Sequence, residues 1–356
     1  MNSTLAPSPN QKPLLFDDPV FDEHHARGDH PECPERLQAA RRAVERTRPQ
    51  LEFTQVPARD ATEEELARVH TPEYLQQLDQ LAGQWSFIDA DTYVCPASIG
   101  AAKRAAGATV QLVEGLLSGM APWGLALVRP PGHHACANRA MGFCLLNNVA
   151  VAAAHARALG AERVLVLDID VHHGNGTQEI FYRDPSVLYV SLHQFPYYPG
   201  TGAATELGEG RGRGYTVNVP LSGGAGDTTY RTAFERIVLP IIEEYHPSLT
   251  LVSAGFDAHE RDPLGGMMLS DAGYSSLIQR LKSSLPARHP IGLVLEGGYD
   301  FIGLQTALEH TLLSMASPRV TPSLQALQTP ASPGLGSHQR DLERAEAVQR
   351  VHWYLG

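Results

Sequence analysis

Cysteine is scarce in this chain. Four occur in 356 residues, Cys33, Cys95, Cys136 and Cys144, with no C-x-x-C pair among them. That excludes a disulfide-stapled scaffold and predicts reduced, buried thiols in a reducing compartment. Positive charge is the minority sign, 28 Lys and Arg against 39 Asp and Glu for a formal net charge of −11. With no basic patch, a phosphate-backbone partner is excluded, and the acidic balance mildly favours cationic substrates. No apolar run approaches the roughly 18 residues that span a bilayer. The opening MNSTLAPSPNQKP lacks the basic-then-apolar order of a secretory signal. Together these absences predict a cytoplasmic protein whose partners include neither nucleic acid nor membrane.

What the chain has is apolar residues, 43% against 19% charged, enough for one large α/β domain or two ordinary ones. Short apolar runs recur at 125–128, 163–167, 187–192, 215–219, 249–253 and 291–295. Such runs suit strands buried on both faces of a parallel sheet. Helical patterns occupy Pro34–Arg46, 62–82, Ser98–Leu117, Asn147–Leu159 and Thr228–Tyr245. Polar clusters repeatedly follow the strand ends. This is the pattern of a single doubly wound α/β domain over 14–316, with helices on both faces of the sheet and the site at the carboxyl ends of the strands. Residues 1–13 read as a flexible tail and the Pro/Ser/Thr-rich 317–337 as a linker. Residues 338–356 read as a terminal helix that packs back on the domain. His24, His25 and His30, in a Pro- and charge-rich stretch, read as a surface loop.

The densest chemistry follows the run at 163–167. Asp168, Asp170 and His172 fall on one side of an extended chain while Leu167, Ile169 and Val171 face the other. Burying two aspartates without a cation is very costly, so the spacing points to a metal. With Asp257 at another strand end, Asp170 and His172 make a three-ligand set that leaves a coordination position open, as catalytic zinc sites do. A capped turn with satisfied polar groups is the plainer alternative for the Asp-Asp-His stretch alone. The adjacent His133 and His134 follow a strand and suit proton transfer from water on a metal, with Asp168 and Asn175 available to orient the rings. Two exposed loop histidines are the alternative there. Glu296-Gly297-Gly298-Tyr299 places two glycines after a strand, a tight turn able to present the Tyr299 hydroxyl to a developing oxyanion; on this stretch alone a core tyrosine is the plainer reading. Phe143 fits an apolar wall or ordinary core.

The ordered motifs RPPGHHA (129–135), GFC (142–144), DIDVHHGNG (168–176), YPGTG (198–202), SAGFDA (253–258) and EGGYD (296–300) resemble those of zinc-dependent histone deacetylases. The chain is similar over about residues 15–315 to bacterial class II members of the histone deacetylase and acetylpolyamine amidohydrolase superfamily, which have the arginase/deacetylase fold. The resemblance implies one catalytic Zn2+ on Asp170, His172 and Asp257. It implies His134 as general base and then acid, backed by Asn175, and His133 paired with Asp168 in an electrostatic role. Class I members carry Asp where Asn175 stands. Tyr299 matches the catalytic tyrosine, and Gly142 and Phe143 match an acyl-lysine tunnel, with Phe195 or its neighbours as the opposite wall. Asp91 falls at a rim position that holds the substrate backbone; Leu264 and Gly297 complete the substrate-binding set. Structural K+, one or two ions, is implied at Asp168, Asp170, His172, Ser191 and Leu192, and at Phe181, Asp184, Val187 and Tyr215. The expected substrate is an acetylated lysine peptide or protein, ahead of a small acetylated amine. Leu264 stands where one eukaryotic polyamine-type relative has a glutamate, and no long insertion precedes Asp91. A binuclear manganese site and an inactive acyl-lysine-binding module fit less well, the latter because Tyr299, His133 and His134 are all present. Fe(II) or Co(II) would suit the same ligands, and a homo-oligomer is allowed.

Overall fold

The computed structural model describes residues 11–319, 336 and 338–356. Among these residues ten strands form: β1 (Leu14–Phe16), β2 (Thr54–Val56), β3 (Ser86–Phe87), β4 (Tyr93–Val94), β5 (Trp123–Ala126), β6 (Val164–Asp168), β7 (Val187–Gln194), β8 (Thr216–Leu221), β9 (Leu249–Ala254) and β10 (Ile291–Leu295). Eight of them make one sheet in the order β2-β1-β5-β10-β9-β6-β7-β8, every pairing parallel. All residues of β5, β6, β9 and β10 are buried on both pleat faces. A parallel sheet can do this only under helices on each side, which explains why these runs read as continuously apolar.

The helices are α1 (Val20–Glu23), α2 (Pro34–Thr47), α3 (Glu63–Ala67), α4 (Pro72–Gln80), α5 (Ser98–Leu117), α6 (Asn148–Ala158), α7 (Asn175–Phe181), α8 (Asp227–Ala233), α9 (Leu239–Tyr245), α10 (Asp271–Ser284), α11 (Phe301–Ala316) and α12 (His338–Gln349). The chain passes from β5 over to β6, runs outward through β7 and β8, then returns to lay β9 and β10 between β5 and β6. The reversal of strand order opens a crevice at the carboxyl ends of the four central strands, the usual place for a ligand in an open α/β sheet.

Several expectations change. The helix expected over 62–82 is two: Thr62 caps α3 in a capping box with Glu65, and Thr71 caps α4 with Pro72 in its first turn. The rod expected over 228–245 is interrupted by a wider-wound turn at Phe234–Val238, just ahead of Pro240, which has no N–H to donate. The stretch holding His24, His25 and His30 is not simply a surface loop. His25 is exposed, but His24 is buried, with Nδ1 2.7 Å from Ser98 Oγ and Nε2 3.4 Å from Glu32 Oε2. The buried Arg36 and Arg129 guanidiniums both donate to Glu32, so the segment has to enter the core to neutralise them.

The strand expected at 125–128 begins two residues earlier, at Trp123. The four cysteines are free. Helix α12 docks on the domain through Leu342 and Ala345, and the Trp353 indole N–H donates to the Gly214 carbonyl at 2.9 Å. Residues 1–10 of the expected tail, and 320–335 and 337 of the expected linker, lie outside the described residues.

Candidate active site

Asp170 and His172 lie just past β6 and Asp257 just past β9, its neighbour in the sheet, so two carboxylates and an imidazole converge. His172 Nδ1 is 3.2 Å from Asp170 Oδ1 and 3.2 Å from Asp257 Oδ2. Donors about 2.0–2.1 Å from a tetrahedral ion are separated by about 3.3 Å, so both distances from His172 suit such a site, and the three groups lie within 4.8 Å of one another. The other oxygens are held by main-chain donors: Gly297 N–H to Asp170 Oδ2 at 2.8 Å and Val171 N–H to Asp257 Oδ1 at 2.8 Å. A Cβ on Gly297 would lie 2.1 Å from Asp257 Oδ2, so only glycine admits this approach. Burial, and then the Asp170 charge beside it, pushes Asp257 up to about 7. Two buried carboxylates this close do not both stay ionised without a cation, and the donor set fits a divalent metal.

His133 and His134 sit beyond β5, their ring centroids 4.0 Å apart. His133 Nδ1 is 3.0 Å from Asp168 Oδ2, and His134 Nδ1 is 2.9 Å from Asn175 Oδ1. Burial disfavours charge on both rings, yet they diverge. For His133 the Asp168 and Asp170 carboxylates overcome burial and raise it to about 10. For His134 burial is reinforced by the positive charge of His133 beside it, and the two hold it well below the ordinary histidine range. Asn175 Nδ2 faces the His134 carbonyl, Cys136 Sγ and Met141 Sδ. Its oxygen therefore faces the ring, which puts the proton on Nδ1 and leaves the Nε2 lone pair free.

Tyr299 follows β10. Its ring packs edge-on to Phe143 at 5.8 Å, with the Arg36 guanidinium 4.7 Å over its face. A cavity of about 140 Å³ is lined by His133, His134, His172, Tyr299, Gly142, Phe143, Asp91, Leu264 and Gly297, together with Pro131, Tyr197 and Tyr198. Gly142 has φ +58, and a Cβ there would come within 2.5 Å of His134 Cδ2. Phe143 is also left-handed at φ +68, a strained setting for a phenylalanine that turns its ring to the wall. Of Phe195 and its neighbours, expected as the opposite wall, Phe195 itself is absent from the lining. It still pairs along the sheet through its N–H to the Leu221 carbonyl, and its ring lies 6.5 Å edge-on from His193. The turn after it carries the next aromatics inward instead: Tyr197 stacks on His172 at 5.7 Å and Tyr198 meets His134 edge-on at 5.2 Å. Their adjacency in a turn-rich segment was the signal that could have found them.

Asp168 lies beside Ser191 in the β6–β7 register, with Leu192 next along β7. Phe181, Asp184 and Val187 are linked through main-chain bonds in the turn before β7, and the Tyr189 N–H donates to the Tyr215 carbonyl. Glu296 has a role that its motif did not disclose. Its Oε2 accepts from the Gly132 and His133 N–H groups at 2.7 and 3.2 Å, tying the tandem-histidine loop to the end of β10. A second acid–histidine group, Glu65, Glu114 and His155, is already occupied by cationic side chains: Arg59 bonds both glutamates and Arg68 reaches His155.

Residues 30–315 match the family model described as histone deacetylase domain. The chain is 44% identical over 313 residues to histone deacetylase 15 of Arabidopsis thaliana, covering 86% of this chain and 56% of that protein. It is 39% identical over 347 residues to polyamine deacetylase HDAC10 of Homo sapiens, covering 91% and 50%. It is 38% identical over 303 residues to a probable deacetylase of Archaeoglobus fulgidus, covering 82% and 83%. The chain thus spans about half the length of the first two. Among solved structures, the HD domain of HDA15 superposes with a TM-score of 0.85 at 39% identity, covering 96% of both chains.

Proposed function

The chain belongs to the histone deacetylase family, and we propose that it is a metal-dependent amidohydrolase that removes the acetyl group from N-acetyl-lysine side chains. One observation carries the reading. The Asp170–His172–Asp257 triangle adjoins the same cavity that His134 and Tyr299 line, so ligands, base and oxyanion donor face one small space.

Zinc on Asp170, His172 and Asp257 would polarise the amide carbonyl and acidify water. His134, neutral near pH 7, takes a proton from the attacking water at Nε2 and returns it to the leaving amine. Asn175 keeps the other ring nitrogen protonated and the ring aimed. His133 stays cationic against Asp168 and stabilises negative charge without leaving its place. The Tyr299 hydroxyl donates to the carbonyl oxygen as it becomes an oxyanion. Gly142, Phe143, Tyr197 and Tyr198 enclose an extended aliphatic stem, which excludes water around the reacting amide. Leu264 and Gly297 line the space beside them, and Asp91 bonds the substrate backbone at the rim.

Zinc is the metal we assign, and K+ at the Asp168–Ser191–Leu192 and Phe181–Asp184–Val187–Tyr215 positions would brace β6 and β7 beside it. Residues 14–316 form the catalytic domain, and a cytoplasmic location accords with the free cysteines. No helix among the described residues is long and apolar enough to cross a membrane. A small acetylated amine is the second reading, favoured by the similarity to a polyamine deacetylase. The apolar Leu264 on the cavity wall speaks for the uncharged stem of an acyl-lysine.

The test strips the protein with a chelator, reloads it separately with Zn2+, Fe2+ and Co2+, and compares an acetyl-lysine peptide with N-acetylputrescine. Activity disappears on stripping and returns with metal, the peptide having the higher kcat/KM. Zinc-loaded, folded protein that released acetate from neither compound would refute the reading.

A further inference from the structure

Between β9 and α10 the chain reads Asp262-Pro263-Leu264, and Asp262 is buried. Its Oδ1 accepts the Leu264 N–H at 2.9 Å, an ordinary local turn. Its Oδ2 does something a local turn does not require. It crosses to a segment 37 residues away and accepts the N–H groups of Tyr299, at 2.6 Å, and Asp300, at 3.1 Å. One carboxylate therefore ties together two stretches of the cavity lining, the Leu264 wall and the Tyr299 turn.

The same turn is gripped from its other side. Arg36 Nε donates to the Gly298 carbonyl at 2.7 Å, and a second guanidinium nitrogen donates to the Glu296 carbonyl. Gly298, at φ +121, provides the bend between these carbonyls and the N–H groups that Asp262 holds. A tyrosine hydroxyl is carried on a rigid ring with two rotatable bonds. Once its main chain is pinned and its ring lies between Arg36 and Phe143, the hydroxyl position follows. An oxyanion donor contributes only within hydrogen-bond reach of where charge develops, and a misplacement near 1 Å costs roughly a hundredfold.

We propose that Asp262 is a positioning residue of this site: by taking the Tyr299 and Asp300 N–H groups on one oxygen and the Leu264 N–H on the other, it sets the Tyr299 hydroxyl against the substrate wall. The proposal rests on the deacetylase reading above and deepens it. Asp262→Asn preserves shape but offers only one acceptor oxygen, so a donor faces either Leu264 or the tyrosine turn.

The experiment is a double-mutant cycle on the zinc-loaded full chain, assayed with an acetyl-lysine peptide, with melting and metal content measured for each variant. Asp262→Asn lowers kcat about 10- to 100-fold with KM changed less than about threefold. In a Tyr299→Phe background the same substitution changes kcat less than about threefold, because the hydroxyl it positions is already gone. Equal losses in both backgrounds overturn the proposal, as do a loss confined to KM, an unchanged kcat or a loss that tracks reduced metal content. If Asp262→Asn does not melt cooperatively, Asp262→Glu, with both oxygens one methylene further out, goes through the same cycle under the same criteria. Inactive wild type would refute the deacetylase reading itself; active wild type with an additive cycle would refute only the role of Asp262.

Discussion

Asp168 and Asn175 stand behind adjacent histidines at nearly the same distance, 3.0 and 2.9 Å, yet one carries a charge and the other does not. That difference separates a histidine raised to about 10 from one held well below its ordinary value. Asn175→Asp puts a carboxylate against His134, favours its protonated form and so raises its pKa. The free base is then lost at higher pH, and the acidic limb of the kcat/KM profile moves upward. A limb that stays in place would remove His134 as the base. Tyr299→Phe deletes one oxyanion donor and should lower kcat by roughly 10²–10³, about 3 kcal/mol, with metal content unchanged. Activity within a few-fold of wild type would mean that the phenol does not meet the oxyanion. Most of these residues were legible in the sequence because the charged and imidazole types sit in short runs at strand ends. Tyr197 and Tyr198 were legible only as neighbours of Phe195, and the contacts of Glu296 and Asp262 were not legible, because they depend on segments far along the chain.

Strands were easier to read than helices. Burial on both faces makes β6 and β10 continuous apolar runs, a pattern with few competing explanations. The break between α3 and α4 turns on Thr71 and Pro72, which an amphipathic pattern runs straight through. Helix α12 was expected to return to the body, and its anchor is aromatic: Trp353 packs edge-on to Tyr215 at 5.7 Å and to Tyr245 at 6.3 Å while donating to Gly214. Trp353→Ala should destabilise the protein by about 3 kcal/mol or more, read as a lower midpoint in denaturant at constant slope. A midpoint unchanged within error would show that the terminal helix adds nothing to the cooperative unit.

The whole molecule carries neutral histidines in its interior, and they set its response to acid. His70 donates from Nδ1 to the Cys136 carbonyl and accepts at Nε2 from the Asn147 N–H; burial lowers it to about 4. His193 is lowered to about 4 by burial as well. Between pH 6.5 and 4 the unfolded chain binds protons that these rings refuse in the folded state, so stability falls as pH falls through that window. Each contributes about 2 kcal/mol of loss by pH 5, at roughly 1.4 kcal/mol per unit. Thermal melts from pH 7.5 to 5 should show a steadily falling midpoint, and His70→Gln should flatten the fall. A variant with the wild-type slope would exclude His70 as a source of it.

Residue order alone determined the alternation of buried strands with helices, the placing of polar chemistry after strand ends, and which two carboxylates and imidazole make up the candidate metal group beside the tandem histidines. These follow from local rules: a period of two along a strand, the cost of burying a carboxylate, the conformations glycine permits. Tertiary structure decided which aromatics line the cavity, that the two histidines are shifted in opposite directions, and which carboxylate takes the Tyr299 N–H. Each of those depends on distances between groups remote in sequence: a turn that leaves Phe195 outside the cavity and presents two tyrosines, a shared field around His133, and three N–H groups meeting at Asp262. A string of residues carries the chemical types, and only the folded sheet brings them within a hydrogen bond of one another.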